Sequence, residues 1–172
     1  MELNNKFILD ACCGGRMMWY NKKHPNTIYI DIRKEDKGFI AAAPHYQVNP
    51  DMLMDFRKMD FPDKCFKHIV FEPPHLSKLG KTSMYRKKYG CLNAETWPID
   101  IKMGFDECWR VLDNYGLLVF KWSNSEIPFK SILKLAPTKP LYYNISNSKA
   151  TSVTKWFIFM KIPKGKGEDL KQ

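Results

Sequence analysis

A short apolar run that ends on an acid and leads straight into a glycine pair constrains this chain more than any other feature. The segment reads Phe7-Ile8-Leu9-Asp10-Ala11-Cys12-Cys13-Gly14-Gly15-Arg16. The apolar residues predict a buried strand, and the glycines allow the backbone to pass close to a ligand where a helix begins. We therefore expect a nucleotide-like ligand at a turn between a first strand and a first helix.

Strand-like runs recur along the chain and alternate with helical or loop segments. Strands are predicted at 7–11, 27–31, 51–55, 66–71, 117–122, 141–143 and 154–162, and helices at 17–23, 94–112 and 126–135. This alternation predicts an α/β fold with a mostly parallel, seven-stranded sheet and helices on both faces. The last two strands lack a full helical crossover, which predicts an antiparallel pair at one edge. We expect one domain over 1–162 and a disordered basic and polar tail over 163–172.

Composition narrows the compartment and the partners. The net charge is +10, from 28 basic and 18 acidic residues, and such an excess favours a polyanionic partner. The five cysteines contain no C-x-x-C pair, so the sequence predicts neither a disulfide framework nor a metal site. The chain has no signal-peptide pattern and no apolar run of membrane-spanning length, so we expect a soluble, cytoplasmic protein without membrane contact.

Three acids are predicted at the carboxyl ends of successive strands: Asp10, Asp31 and Asp55. Ligands of open parallel sheets bind outside these ends. Asp31 follows Asp10 by 21 residues (31 − 10), a spacing that suits a ribose diol, because a carboxylate accepts two hydroxyl hydrogen bonds at once. The alternative for each acid taken alone is that it caps the following helix.

Together these segments resemble the class I S-adenosylmethionine-dependent methyltransferases, and the resemblance extends from residue 6 to about 162. The glycine turn is similar to the first motif of that family, Asp31 to its ribose acid, and Met54-Asp55-Phe56 to its adenine segment. Residues 110–119 resemble the passage from its helix into strand five. The resemblance implies a Rossmann-like fold and S-adenosyl-L-methionine as cofactor. The cofactor-binding residues it implies are Asp10, Cys12, Gly14, Gly15, Asp31, Ile32, Asp55 and Phe56. Arg16 stands where a glycine is usual, and we expect it to face the carboxylate of the ligand.

Glu72-Pro73-Pro74-His75 resembles the Asp/Asn-Pro-Pro-aromatic motif of nucleic acid amino-methyltransferases. Paired prolines stiffen a loop and hold a backbone carbonyl in place. A side-chain oxygen and that carbonyl can together orient an exocyclic amine, and the flat ring of His75 can stack on a flipped base. These four residues are the predicted catalytic set. Glu72 is one methylene longer than the usual acid, which displaces its carboxylate by about 1 Å; a non-catalytic partner subunit is therefore an alternative.

A basic stretch interleaved with aromatic residues follows this motif. Basic residues with aromatics suit phosphates and unstacked bases, whereas the alternative is an ordinary solvated surface. The predicted substrate-binding residues are Lys78, Lys81, Tyr85, Arg86, Lys87 and Lys88.

The leading hypothesis is therefore a methyltransferase acting on an exocyclic amino group of a nucleic acid base, DNA or RNA, with adenine N6 favoured. The alternatives are a methyltransferase of a small molecule or protein, and a catalytically weak nucleic-acid-binding partner subunit. The chain is too short for a separate target-recognition domain, so we expect sequence selectivity to come from loops 33–50 and 76–97 or from a partner, or to be weak. A protein partner and a homodimer are both open alternatives.

Overall fold

The computed structural model describes residues 5–144 and 152–163 of the chain. In chain order the strands are β1 (Ile8–Asp10), β2 (Thr27–Asp31), β3 (Met52–Leu53), β4 (Phe66–Phe71), β5 (Leu112–Ser123), β6 (Tyr142–Tyr143) and β7 (Thr154–Met160). The helices are α1 (Met84–Tyr89), α2 (Trp97–Val111) and α3 (Phe129–Leu133). Over these residues, no helix has the length and apolar character needed to cross a membrane. Most of the predicted tail, from residue 164 onward, lies outside the described residues.

These strands form one seven-stranded sheet with the order β3-β2-β1-β4-β5-β7-β6. Pairing is parallel from β3 through β2, β1 and β4 to β5. β7 runs antiparallel to both β5 and β6. The prediction of a mostly parallel α/β sheet with an antiparallel edge pair is therefore confirmed for the described part of the chain.

The core lies where α2 packs against β4 and β5. Ile101, Phe105 and Cys108 recur on one helical face and are fully buried, as the sequence spacing predicts. The Phe105 ring centroid lies 4.7 Å from that of Phe120 and 5.6 Å from that of Phe71. Burying each such side chain contributes roughly 1.5–3 kcal/mol, so this contact holds the carboxyl ends of β4 and β5 in place.

The predicted helix over 17–23 is wrong, since the connection from β1 to β2 consists of turns. Arg16, the residue before the predicted helix, has a positive φ of 53°, so the chain enters this segment outside the right-handed helical region. Its guanidinium donates to the Lys22 carbonyl (2.8 Å), and Trp19 is held by Asp10 (Nε1 to Oδ2, 2.7 Å). These contacts fold residues 16–22 back on themselves and leave no room for a regular helix.

Other boundaries differ by a few residues, as helix and strand ends commonly do. The predicted strand at 51–55 shrinks to β3, because residue 55 belongs to a turn that bridges to Lys58. β5 starts directly where α2 ends, five residues before the predicted start at 117. The short helix α1 was not predicted; its signal is Ser83, whose hydroxyl accepts from the Arg86 N–H as an N-cap.

Candidate functional site

A cavity of about 680 Å³ opens at the carboxyl ends of the central strands. Its walls come from the turn after β1, the end of β2, the loop after β4 and the end of β5. This volume is in the range of small-molecule sites. Of the predicted cofactor residues, the cavity is lined by Cys12, Gly14, Gly15, Asp31, Ile32 and Phe56.

Asp31 lies at the junction of the glycine turn and β2. Its Oδ2 accepts from the Gly14 N–H (3.0 Å), and its Oδ1 accepts from the N–H and Nε of Arg33 (3.0 and 3.3 Å). An ionised carboxylate has about four lone-pair sites, so Asp31 retains an acceptor site for a further hydroxyl. Because no α-helix follows β2 in the described connection, the helix-capping alternative does not apply to this acid.

Asp10 does not line the cavity, although its sequence context matches that of Asp31. The side chain is buried, and its two oxygens accept from the Trp19 indole (2.7 Å) and the Cys12 N–H (3.3 Å). Burial raises the pKa of Asp10 to about 7, against the lowering effect of these hydrogen bonds. The structure therefore places this predicted cofactor residue among protein donors behind the glycine turn.

Asp55 does not line the cavity either. Its carboxylate is held by the Arg57 guanidinium, with Nη2 at 2.6 Å from Oδ2 and Nε at 3.1 Å from Oδ1. Burial alone would raise the pKa of Asp55, but the hydrogen bonds and charge of Arg57 lower it below its usual value. Its neighbours Met54 and Phe56 do line the cavity and, with Ile32, form an apolar wall.

The glycine turn is covered by Tyr46, which sequence reasoning missed. The Tyr46 hydroxyl accepts from the Gly15 N–H (3.1 Å) and donates to the Lys88 carbonyl (2.7 Å). A Cβ at Gly15 would lie only 2.3 Å from the Tyr46 ring, so this contact requires glycine. Tyr46 thereby joins the turn after β1 to the helix α1.

The expectation that Arg16 faces a bound carboxylate is wrong. Its guanidinium donates to the Asn49 carbonyl (2.7 Å) and to Asp51 (2.9 Å) and lies 3.7 Å from the centre of the Tyr29 ring. Arg16 does not line the cavity. Its role in this structure is to hold the turn after β1 against the segment that leads into β3.

Glu72, Pro73, Pro74 and His75 all line the cavity. The loop is held from outside: a Cβ at Gly90, whose φ is 80°, would lie 2.9 Å from Pro74, and the Leu92 N–H donates to the Leu76 carbonyl (2.8 Å). The segment after α1 is thus packed closely on the proline pair.

Lys121, on β5, forms an ion pair with this motif, and sequence reasoning gave it no role. Its ammonium donates to Glu72 Oε1 and lies 5.2 Å from the centre of the Trp156 ring. His75 lies edge-on to Trp122, with ring centroids 6.2 Å apart. Burial, and then the charge of Lys121, lower the pKa of His75, so the imidazole is neutral near pH 7.

Five of the six predicted substrate-binding residues line one or both of two cavities. Tyr85, Arg86 and Lys88 line the main cavity. Lys81, Arg86 and Lys87 line a second cavity of about 410 Å³. Lys78 lines neither of them.

Comparison with solved structures establishes the fold. The chain is similar to a protein from Pyrococcus horikoshii OT3 (TM-score 0.56, 13% identity, covering 91% of this chain and 81% of that one). It is also similar to a SAM-dependent methyltransferase from Methanosarcina mazei (TM-score 0.54, 13% identity, 91% and 92% covered). TrmN from Thermus thermophilus has a TM-score of 0.55 at 11% identity, over 92% of this chain but 44% of TrmN. At these identities the likeness shows the Rossmann-like class I methyltransferase fold. No family model and no curated protein matches the sequence.

Proposed function

We propose that this protein is an S-adenosylmethionine-dependent methyltransferase acting on an exocyclic amino group of a nucleic acid base, with adenine N6 favoured. The observation that carries the proposal is the convergence of Asp31, Phe56 and Glu72–His75 on one cavity. The fold, shared with SAM-dependent methyltransferases of known structure, supports the reaction class. The amino-group substrate rests on the Glu-Pro-Pro-His loop.

The residues of the cavity fit the cofactor. Asp31 has acceptor capacity left for a ribose hydroxyl, and the wall of Ile32, Met54 and Phe56 suits an adenine ring. The backbone of the glycine turn would hold the methionine end. When bound, S-adenosylmethionine would supply a methyl carbon on a sulfonium centre: an amine lone pair would attack this carbon, the carbon–sulfur bond would break, S-adenosylhomocysteine would leave, and the methylated amine would lose one proton to solvent.

The chain's own contribution at the reacting amine is orientation. The lone pair of an exocyclic amine is delocalised into the base, so it must be aimed by acceptors that hold the amine hydrogens. Lys121 occupies Oε1 of Glu72, which leaves Oε2 to accept one hydrogen, and the Pro73 carbonyl accepts the other. Neutral His75, in the same loop, offers a flat ring to the face of the base.

The ion pair with Lys121 also restricts the longer side chain of Glu72. A longer acid has one more rotatable bond, and an unanchored carboxylate would lose orientation. The ion pair fixes one oxygen of that carboxylate from β5, on the neighbouring strand of the sheet. In the proposed enzyme, Lys121 is therefore a positioning residue for Glu72.

Calorimetry and methyl transfer test the proposal. We expect wild-type protein to bind S-adenosylmethionine and an Asp31→Ala variant to bind it at least about 10-fold more weakly, because a hydrogen bond to a charged group contributes roughly 1.5–3 kcal/mol. Tritiated cofactor should then label the adenine of RNA or DNA. Absence of cofactor binding, or label in protein alone, would reject the proposal.

A second candidate function is a nucleic-acid-binding partner subunit without catalysis. Two observations favour it: Tyr46 covers the glycine turn at Gly15, and the carboxylate of Glu72 is engaged by Lys121. Under this alternative the protein binds nucleic acid but not S-adenosylmethionine. The same calorimetry therefore separates the two functions.

A further inference from the structure

The second cavity is a basic groove, lined by Arg33, Glu35, Phe39, Lys81, Arg86 and Lys87. We propose that this basic groove binds the nucleotide adjacent to the methylated base, so that the substrate is a single-stranded nucleic acid. The inference rests on the proposed function, because it specifies the substrate of the same site. It adds Arg33 and Phe39, which the sequence did not single out, to the substrate-binding surface.

The basic groove adjoins the main cavity, because Arg33 and Arg86 line both of them. A polynucleotide whose target base enters the main cavity can therefore place its next phosphate beside these two arginines. Arginine suits such a position, because its planar fork of donors matches phosphate oxygens.

Both arginines are held in place before any ligand arrives. Arg33 donates through Nε to Asp31 (3.3 Å) and through Nη1 to the Lys87 carbonyl (3.0 Å). Arg86 donates through Nη1 to the Leu79 carbonyl (2.9 Å). A guanidinium has five N–H donors, so each retains donors for a phosphate. Fixed donors lose less side-chain entropy on binding than mobile ones.

The charge of the basic groove suits a phosphate backbone. Four cationic side chains line it and Glu35 is its one carboxylate. Within residues 5–144 and 152–163, neither Lys81 nor Lys87 takes part in an ion pair. Arg33 is paired with Asp31. Their charges are therefore open to neutralisation by phosphates, which releases counterions and favours binding at low salt.

Phe39 makes the basic groove suitable for a base as well as a phosphate. Its ring is half-buried, 5.9 Å from that of Tyr46, and it stands among the four cations. Aromatic side chains in basic grooves stack on unpaired bases, whatever the base. A base can stack on Phe39 only when it is not held inside a duplex, which is why we infer a single strand.

Fluorescence anisotropy on the full chain tests this inference without cofactor. The probes are labelled single-stranded oligoadenylates of about 12 nucleotides, in ribose and deoxyribose forms, and the same oligomers as duplexes with their complements. We expect both single strands to bind at least about 10-fold more tightly than the duplexes. Their salt dependence should follow a slope of about −0.7 for each neutralised phosphate.

Two variants locate the binding. A Lys81→Gln/Lys87→Gln double variant should flatten the salt slope by about 1.4, the value for two phosphates on a single strand. A Phe39→Leu variant should weaken single-strand binding by about 5- to 150-fold with the salt slope unchanged. The matched control is Lys130→Gln/Lys134→Gln, which removes the same charge from exposed positions at α3 that line neither cavity and that, among the described residues, form no ion pair. Thermal unfolding of each variant verifies that it is folded.

The outcomes separate this inference from the proposed function. Equal or tighter binding of the duplex overturns it, as does a salt slope that changes equally in the test and control variants. If an acidic peptide binds more tightly than the oligomers and displaces them, the basic groove is assigned to a protein partner instead. If the protein transfers methyl groups but gives any of these results, only the role of the basic groove is rejected. If it binds single strands in the basic groove but does not bind S-adenosylmethionine, only the methyltransferase function is rejected.

Discussion

The buried carboxyl of Asp10 makes the stability of this protein depend on pH in a direction opposite to that of most acids. Burial raises the pKa of Asp10 from 3.8 to about 7. Between these values the folded state binds a proton that the unfolded state has released. Stability contributed by this group is therefore present at acidic pH, falls as pH rises from about 4 to about 7, and is constant above.

The expected magnitude follows from the two pKa values. Each unit of pKa corresponds to about 1.4 kcal/mol, so complete ionisation of folded Asp10 costs about 4 kcal/mol relative to the unfolded chain. Between about pH 5 and about pH 8, the part of this change that unfolding experiments can observe is about 3 kcal/mol. That is a large fraction of the total stability of a domain, about 5–15 kcal/mol.

The assay is urea unfolding of the wild type and an Asp10→Asn variant at both pH values. The asparagine side chain has the same size and an acceptor oxygen but does not titrate. The free energy of unfolding of the wild type minus that of the variant should fall by about 3 kcal/mol from about pH 5 to about pH 8. The pKa values of His68 and His75 are also lowered by burial, but both proteins contain these histidines, so their contribution cancels.

Asp106→Asn provides the control, because Asp106 is exposed on α2 beside Lys102. Its difference from the wild type should change by less than about 0.5 kcal/mol over the same range. If the Asp10 difference stays constant or rises with pH, Asp10 is already ionised in the folded protein at acidic pH. The reasoning from burial would then be refuted.

Three further predictions concern the main cavity. Lys121→Met should raise the pKa of His75, because burial keeps that pKa low and the Lys121 charge lowers it further; a titration of the imidazole followed by NMR that shows no rise would contradict this. Gly15→Ala should destabilise the protein by about 1–3 kcal/mol, because the new Cβ would meet the Tyr46 ring at 2.3 Å; this cost should shrink in a Tyr46→Ala background, and an equal cost in both backgrounds would place the strain elsewhere. Glu72→Asp should lower methyl transfer up to about 10²-fold, since the shorter acid cannot hold both Lys121 and the amine; higher activity would mean that the native Glu72 is misplaced.

Much of the fold follows from local patterns in the sequence. The apolar runs predict β2 and β4, because strands buried on both faces of a parallel sheet need continuous apolar residues. The spacing of Ile101, Phe105 and Cys108 predicts α2, because a helix that packs on a core needs its apolar residues on one face. In these segments the local pattern and the tertiary contacts favour the same structure.

The helix predicted at 17–23 failed because its contacts are not local. Arg16 reaches Asn49 and Asp51, more than thirty residues away, and Trp19 is drawn to Asp10. Such partners are invisible to a window of neighbouring residues. The short helix α1 was missed because its six residues, mostly basic and aromatic, show no periodic spacing of apolar side chains.

The sequence alone determined the succession of the seven strands along the chain, the positions of the acids and the Glu-Pro-Pro-His loop, because these depend on residue types at fixed spacings. Only the tertiary structure decided which acid borders the cavity. Asp10 and Asp31 both end a central strand, yet Trp19 encloses the first, and the second lines the cavity. The tertiary structure also brings Lys121 into contact with Glu72, and Tyr46 into contact with Gly15. Those contacts join residues 49 and 31 positions apart, and their free energy is gained only once the sheet brings the strand ends together.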